Sequence, residues 1–288
     1  LNEQLGKLQT DHIDLYLLHG LRRERWDKMR ELDILSRAED ALADGRIGHL
    51  GFSFHDEYDV FEEIVDTYDK WTFCQIQHNY MDINYQAGTK GLKHAASKGL
   101  AVVIMEPLLG GQLANPPEQI QAVFDEASEE RTAVGWALHW LWSQPEVSVV
   151  LSGMSTMQQV KENVASADEA EVGLLSEEGL ALIDRVRAKY NELCPIPCTQ
   201  CGYCMPCPND VNIPRNMRIF NSGLIYGDLE RPRGTYRWLS ENQEAGADRC
   251  IQCLECEDKC PQSIPISEWM PVIHEVLGEG VAYEQCTM

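Results

Sequence analysis

The sequence predicts an α/β protein. Its first two-thirds read as part of a parallel (β/α)8 TIM barrel, about strands 4–8, and a small helical domain follows. Three observations predict this. Short apolar runs alternate with amphipathic segments through residues 1–192, the signature of βαβ units. Ten of the eleven cysteines fall between Cys194 and Cys286. Those cysteines stand in two copies of one pattern.

The elements follow in order. "HIDLYLLHG" (12–20) is a strand and "ILSRAEDALADGRIGH" (34–49) a helix that stops at Gly45. "LGFSF" (50–54) is a strand and 57–70 a helix. "FCQIQH" (73–78) is a strand and 91–99 a helix. "LAVVIMEP" (100–107) is a strand ended by Pro107. Residues 117–129 and 131–143 are helices, "VSVVLSG" (147–153) is a strand, and helices follow at about 156–165 and 176–192. No long break marks a reversal of strand order, so a barrel fits better than an open sheet. A barrel needs eight strands, and five leave two apolar edges, at 12–18 and 147–151. The chain begins at Leu1 in mid-pattern. The expectation is that about three βα units precede it.

The 288 residues carry 44% hydrophobic side chains, enough for a buried core, and 46 acids against 24 bases, a formal charge of −22. A field of this sign repels phosphate, so no nucleic acid and no anionic membrane is expected as a partner. No apolar run reaches the roughly 18 residues of a membrane span, and no leader opens the chain. Clustered thiols without a leader point to metal ligands in the reducing cytoplasm. Cys74 and Cys286 lie outside the clusters, as a core residue and a free tail thiol.

The second domain spans 193–288. "CTQCGYCMPCPNDVNIP" (198–214) repeats as "CIQCLECEDKCPQSIPI" (250–266). Cys250, Cys253, Cys256, Cys260 and Pro261 form the C-x2-C-x2-C-x3-C-P run of two-cluster ferredoxins, whose fourth cysteine ligates the other cluster. Two 4Fe-4S clusters are therefore expected: one on Cys198, Cys201, Cys204 and Cys260, the other on Cys250, Cys253, Cys256 and Cys207. Zinc also takes four thiolates, but has no use for three consecutive C-x2-C steps. Two points stay open: the first copy has two residues, not three, before Cys207, and Cys194 could replace Cys198. Residues 215–227 and 267–278 look helical, which predicts a helical two-cluster ferredoxin-like domain.

The stretches "LGKLQTDHIDLYLLHG", "GRIGHLGFSFH", "FCQIQHNYMD", "VVIMEPLLGG" and "VLSGMSTMQQVKENV" resemble the aldo-keto reductase family, in the subgroup with a C-terminal iron–sulfur extension. That resemblance implies a nicotinamide cofactor at the C-terminal mouth of the barrel and a small carbonyl or alcohol as substrate. His19 matches the catalytic histidine, which hydrogen-bonds the carbonyl oxygen as charge develops. The family's Asp, Tyr and Lys would lie before Leu1, so this chain alone is expected to be inactive.

By the same resemblance, Ser53 and Gln75 would hold the nicotinamide carboxamide. Met105 stands where the family has a ring-stacking tyrosine. Pro107, Leu108 and Gly110 belong to the loop that passes the pyrophosphate. Gly153, Met154 and Ser155 would meet phosphate at a helix N-terminus, with Gln159 beside them, and Glu162 and Asn163 would face adenine. Gly153 and Gln159 replace the family's 2′-phosphate-gripping cations, which favours NAD(H) over NADP(H).

The expected function is carbonyl or alcohol redox coupled through the clusters to a redox partner protein. The rivals are an electron-transfer protein with a degenerate barrel, and clusters that only staple the tail.

Overall fold

The computed structural model describes residues 1–198 and 200–286. The chain divides into two compact units, Leu1–Pro116 with Gln121–Asp184, and Pro117–Ile120 with Arg185–Met288. This division falls inside a helix, ahead of the expected boundary at 192. The last turns of that helix belong with the second unit, where the Tyr190 ring lies 5.4 Å from that of Tyr226.

The first unit contains β1 (Ile13–Leu21), β2 (Ile47–Phe54), β3 (Phe73–Gln77), β4 (Ala101–Met105) and β5 (Val147–Val150). They form one parallel sheet in sequence order. The same unit holds α1 (Asn2–Leu8), α2 (Arg23–Glu31), α3 (Ile34–Ala43), α4 (Tyr58–Thr67), α5 (Gly88–Ser97), α7 (Ala133–Trp142) and α8 (Met157–Asp168), with the later part of α6 (Glu118–Phe124) and the first half of α9 (Glu177–Glu192).

Strand alternation decides which residues meet the helices. Leu50, Phe52 and Phe54 of β2, Cys74 and Ile76 of β3, and Val102 and Ile104 of β4 are fully buried in one core. Phe61 and Ile64 of α4 and Leu92 of α5 pack into the same core. Phe52 stands 5.8 Å from Phe61 and 4.8 Å from Trp71, ring to ring. The opposite parity of β2, β3 and β4 carries Ser53, Gln75, Gln77 and Met105. Cys74 is the core residue the sequence predicts. On the two outer strands Leu15 of β1 is 60% exposed and Val149 of β5 is 47% exposed.

Two short helices were not expected. α2, "RERWDKMRE", is mostly charged, but Trp26 is fully buried and its indole N–H donates to Glu63 at 3.3 Å. α1 buries only Leu5. The helix expected over 117–129 stops at Phe124, where the charged stretch "EASEER" offers no apolar face.

The second unit contains α10 (Ile213–Ile225), α11 (Glu230–Gln243) and α12 (Ile266–His274). Met217 and Phe220 of α10, Tyr236 and Leu239 of α11, and Trp269, Met270 and Ile273 of α12 form its core. Pro232 hid α11 from the sequence. It lies in the first turn, where a missing N–H breaks no helical bond. Pro214 enters α10 in the same way, and Asn212 caps that helix by accepting from the Arg215 N–H at 3.2 Å.

His78, just after β3, ties the first unit to pH. The residue is fully buried, its ring is 5.1 Å from that of Trp140, and burial pushes the imidazole down to about 4. In the unfolded chain it titrates near the ordinary value of about 6.5. The unfolded chain therefore binds the proton first, and stability is lost as pH falls from about 6.5 to about 4. The loss is about 3 kcal/mol. Urea titrations at pH 7 and pH 4 should show it, and His78→Leu should remove about that part of the difference. An unchanged pH dependence in His78→Leu would contradict this account.

Candidate functional site

The C-terminal end of the sheet gathers the predicted nicotinamide-side residues. Residues Ile13–Leu18 of β1 pair in step with Ile47–Phe52 of β2, but the next pair is Leu21 with Phe54. Three steps on β1 match two on β2, so β1 carries a bulge at His19–Gly20, and bulges re-aim side chains. Leu18 and Leu21 both reach the helix-side core although they are three apart. Gly20 supplies the left-handed turn (φ 65). Its N–H donates to the buried Ser53 hydroxyl at 2.7 Å. The Arg25 guanidinium donates to the carbonyls of His19 and Gly20 at 3.0 and 3.3 Å. His19 itself is exposed. Ser53, assigned to the carboxamide, thus also holds the backbone beside His19.

Gln75 is half-buried, with its amide 3.4 Å from the Met105 sulfur. Gln77 is satisfied by Asp82 at 2.8 Å, the bonded polar layer that makes such glutamines affordable. Pro107 is buried, Leu108 half-buried and Gly110 exposed. Glu106, Leu109, Gly110 and Gly111 are all left-handed, at φ 56, 50, 64 and 92, and Asn79 ties the Glu106 carbonyl at 3.1 Å. Sequence reasoning missed His55. Its N–H continues the ladder to the Leu21 carbonyl at 3.0 Å, and burial, then the neighbouring His19, push its imidazole down. A histidine directly after "GFSF" was the available signal.

The segment assigned to the adenosine side is largely occupied by its own helix cap. Thr156 and Gln159 form a capping box at the start of α8. The Gln159 carbonyl oxygen accepts from the N–H groups of Ser155 and Thr156 at 2.8 and 3.1 Å. Glu162 accepts from Gln158 at 2.6 Å. Asn163 is buried and donates to Ser152 at 2.8 Å. Gly153 and Met154 are exposed. Lys161 is exposed on α8 as well, a cation that the NAD(H) expectation left out.

The cysteines surround two adjoining hollows. Cys198, Cys201, Cys204 and Cys260 line the first, with Ile213, Pro214, Met217 and Ile264. Cys207, Cys250, Cys253 and Cys256 line the second, and Cys204, Ile213 and Ile266 border both. Each copy therefore sends its last cysteine to the other copy's hollow. Cys198, not Cys194, faces the first hollow, and the shorter step to Cys207 still reaches the second. Cys286 is half-buried beside the helical core.

Burial, then Cys198, pushes the Cys204 thiol up to about 11, with Cys260 adding to it. Burial also raises Cys250, with Cys207 and Cys253 adding to it. Thiols that resist ionising together suit a cationic core that takes them as thiolates. Among the described residues, no three Cys, His, Asp or Glu side chains gather tightly enough for one metal ion. The donor set and the apolar cradle fit an iron–sulfur cluster in each hollow.

The two copies also repeat in backbone conformation. Gln200 and Gln252, Gly202 and Leu254, and Asp210 and Ser263 are left-handed at equivalent positions. Asn221 fixes the entry to the first copy. Its side chain accepts from the Ile196 N–H at 3.1 Å and donates to the Ile196 carbonyl at 2.7 Å.

A family model described as "Aldo/keto reductase family" matches residues 1–188, and one described as "4Fe-4S dicluster domain" matches residues 197–264. The chain is similar to L-galactose dehydrogenase of Arabidopsis thaliana, 26% identical over 200 residues, which cover 65% of this chain and 62% of that protein. It is similar to Protein tas of Escherichia coli, 27% identical over 237 residues, 68% of this chain and 67% of that one. Among solved structures, an aldo-keto reductase from Bacillus halodurans in its holo form aligns with TM-score 0.54 and 23% identity, over 64% of each chain. An aldo-keto reductase from Klebsiella pneumoniae in complex with NADPH aligns with TM-score 0.51 and 22% identity, over 65% of this chain and 62% of that one. The chain thus spans about three-fifths of the length of several of these relatives.

The thiols can be ranked chemically. Iodoacetamide at pH 8 should first label the exposed Cys201 and Cys253 of the metal-free chain. Cys204 and Cys256, both held up at about 11, should follow more slowly, since the thiolate is the reacting form. Cys74, fully buried, should react only on unfolding. Peptide mass spectrometry reads the order, and early labelling of Cys204 would contradict the geometry.

Proposed function

Because the chain belongs to the aldo/keto reductase family and carries a 4Fe-4S dicluster domain, we propose that the intact protein is an oxidoreductase. It interconverts a small carbonyl and an alcohol with a nicotinamide cofactor and connects that site to two 4Fe-4S clusters. The observation that carries the reading is the presence in one chain of two features. One is an exposed histidine on a bulge at the C-terminal end of a sheet strand; the other is two adjoining hollows lined by eight thiols, with Cys204 bordering both.

A nicotinamide supplies or accepts a hydride, and iron–sulfur clusters pass single electrons. This chain contributes the surroundings. His19 donates a hydrogen bond to the substrate oxygen as negative charge develops there. Ser53 and Gln75 would hold the carboxamide of a bound nicotinamide, and the left-handed loop at Gly110 would leave room for its pyrophosphate. Lys161 and the NADPH held by the Klebsiella relative remove the ground for choosing NAD(H), so the cofactor proposed is a nicotinamide dinucleotide with or without a 2′-phosphate. The thiols need reducing surroundings, which the cytoplasm provides. Among the described residues no helix is long and apolar enough to cross a membrane. The partner is a one-electron carrier protein.

Met105 favours a second reading, an electron-transfer protein with a non-catalytic barrel. Its sulfur meets Gln75 where the family has a stacking tyrosine.

Anaerobic reconstitution should give about eight irons per chain. Cys207→Ser and Cys260→Ser should each lower that number toward about four. In the intact protein, His19→Ala should lower kcat for carbonyl reduction by about 100-fold or more. Full iron loading with no carbonyl or alcohol turnover across a substrate panel would favour the second reading.

A further inference from the structure

The two cysteine copies share one device that metal ligation does not explain. Gln200 and Gln252 occupy the same position, between the first and second cysteines of their motifs. Both are left-handed, with φ 60 and 56, a conformation that a side-chain-bearing residue adopts only at a cost. Each is held there by its own side chain. The Gln200 amide donates to the Pro214 carbonyl at 3.0 Å, and the Gln252 amide donates to the Ser267 carbonyl at 3.1 Å. Pro214 and Ser267 are each the second residue of the helix that follows their motif, α10 and α12.

Each glutamine then serves the first thiol of its copy. The Gln252 N–H donates to the Cys250 sulfur at 3.4 Å. In the first copy the contact shown is from the side chain, whose amide N–H lies 3.4 Å from the Cys198 sulfur. Hydrogen bonds to cluster sulfurs raise the reduction potential. In the second copy the receiving turn is itself fastened. Glu257 accepts from the Ser267 N–H and hydroxyl at 2.7 and 2.6 Å.

We propose that Gln200 and Gln252 are equivalent positioning residues, each clamping its own cysteine loop to the following helix so that an N–H stays aimed at the first thiol, and that each clamp tunes only its own cluster. This rests on the reading that the hollows hold 4Fe-4S clusters. It does not depend on the chemistry of the barrel.

The test uses the anaerobically purified, full-length holoprotein. Cys260→Ser and Cys207→Ser first identify which spectroscopic signal belongs to which hollow. Gln200→Met and Gln252→Met then keep side-chain length and remove the amide. Redox titration followed by electron paramagnetic resonance should show each variant lowering its own cluster's reduction constant by about tenfold, about 59 mV for one electron, with the other cluster unmoved. Gln200→Gly and Gln252→Gly, which take the left-handed turn without an anchor, should shift less. Selective loss of the variant's own cluster would also support the clamp. Unchanged potentials, equal shifts of both clusters, or loss of both would overturn it. Absence of clusters from the unmodified protein would instead sink the occupancy reading on which it rests.

Discussion

Neither cysteine copy can close its own site. Three thiols two residues apart wrap one side of a hollow, and the fourth comes from the other copy: Cys260 for the first hollow, Cys207 for the second. The rest of the second unit depends on this exchange. α10 and α11 lie in the chain between the two copies and α12 after them, and together they bring the copies face to face. The first residues of α10 and α12 do double duty, since Ile213 and Ile266 are buried in the core and wall both hollows. The loops have little regular structure, so side chains replace it. Asn221 on the Ile196 backbone and Glu257 on Ser267 each satisfy two polar groups that burial would otherwise leave costly.

In the first unit the governing fact is parity. A strand shows alternate residues to opposite faces, and Phe52, Cys74, Ile76, Val102 and Ile104 go to the helices. Ser53, Gln75, Gln77 and Met105 are what remains for the other face. In β1 a bulge breaks the parity at His19–Gly20. One extra residue lets Leu21 rejoin the core and turns His19 out at the strand end. The bulge is held from both sides, through the Gly20 N–H by Ser53 and through two carbonyls by Arg25.

Parity and cysteine spacing were legible because each depends on local sequence. The five strands, their parallel order and the exchange of Cys207 and Cys260 follow from those two patterns. The bulge was not legible, since "LLHGL" reads as uninterrupted strand and only pairing with β2 exposes the extra residue. α11 was hidden by Pro232, whose cost vanishes in a first turn. The local hydrogen bonding of the adenosine-side residues was legible in part. "TMQQ" carries a capping-box pattern, and Gln159 spends its carbonyl oxygen on Ser155 and Thr156. Asn163 is turned to Ser152. Resemblance placed these residues near a ligand, while local hydrogen bonding gave them work in their own helix.

The family supplies the frame for the proposed carbonyl chemistry, and the dicluster domain the frame for the proposed route for single electrons. The electron route requires that the two hollows each hold a complete cluster with a borrowed fourth ligand. Anomalous scattering from crystals of the anaerobically purified holoprotein tests this most directly. The account predicts two four-iron centres, one bonded to Cys198, Cys201, Cys204 and Cys260, the other to Cys250, Cys253, Cys256 and Cys207. Single metal ions in the hollows, or a centre bonded to all four cysteines of one copy, would contradict it.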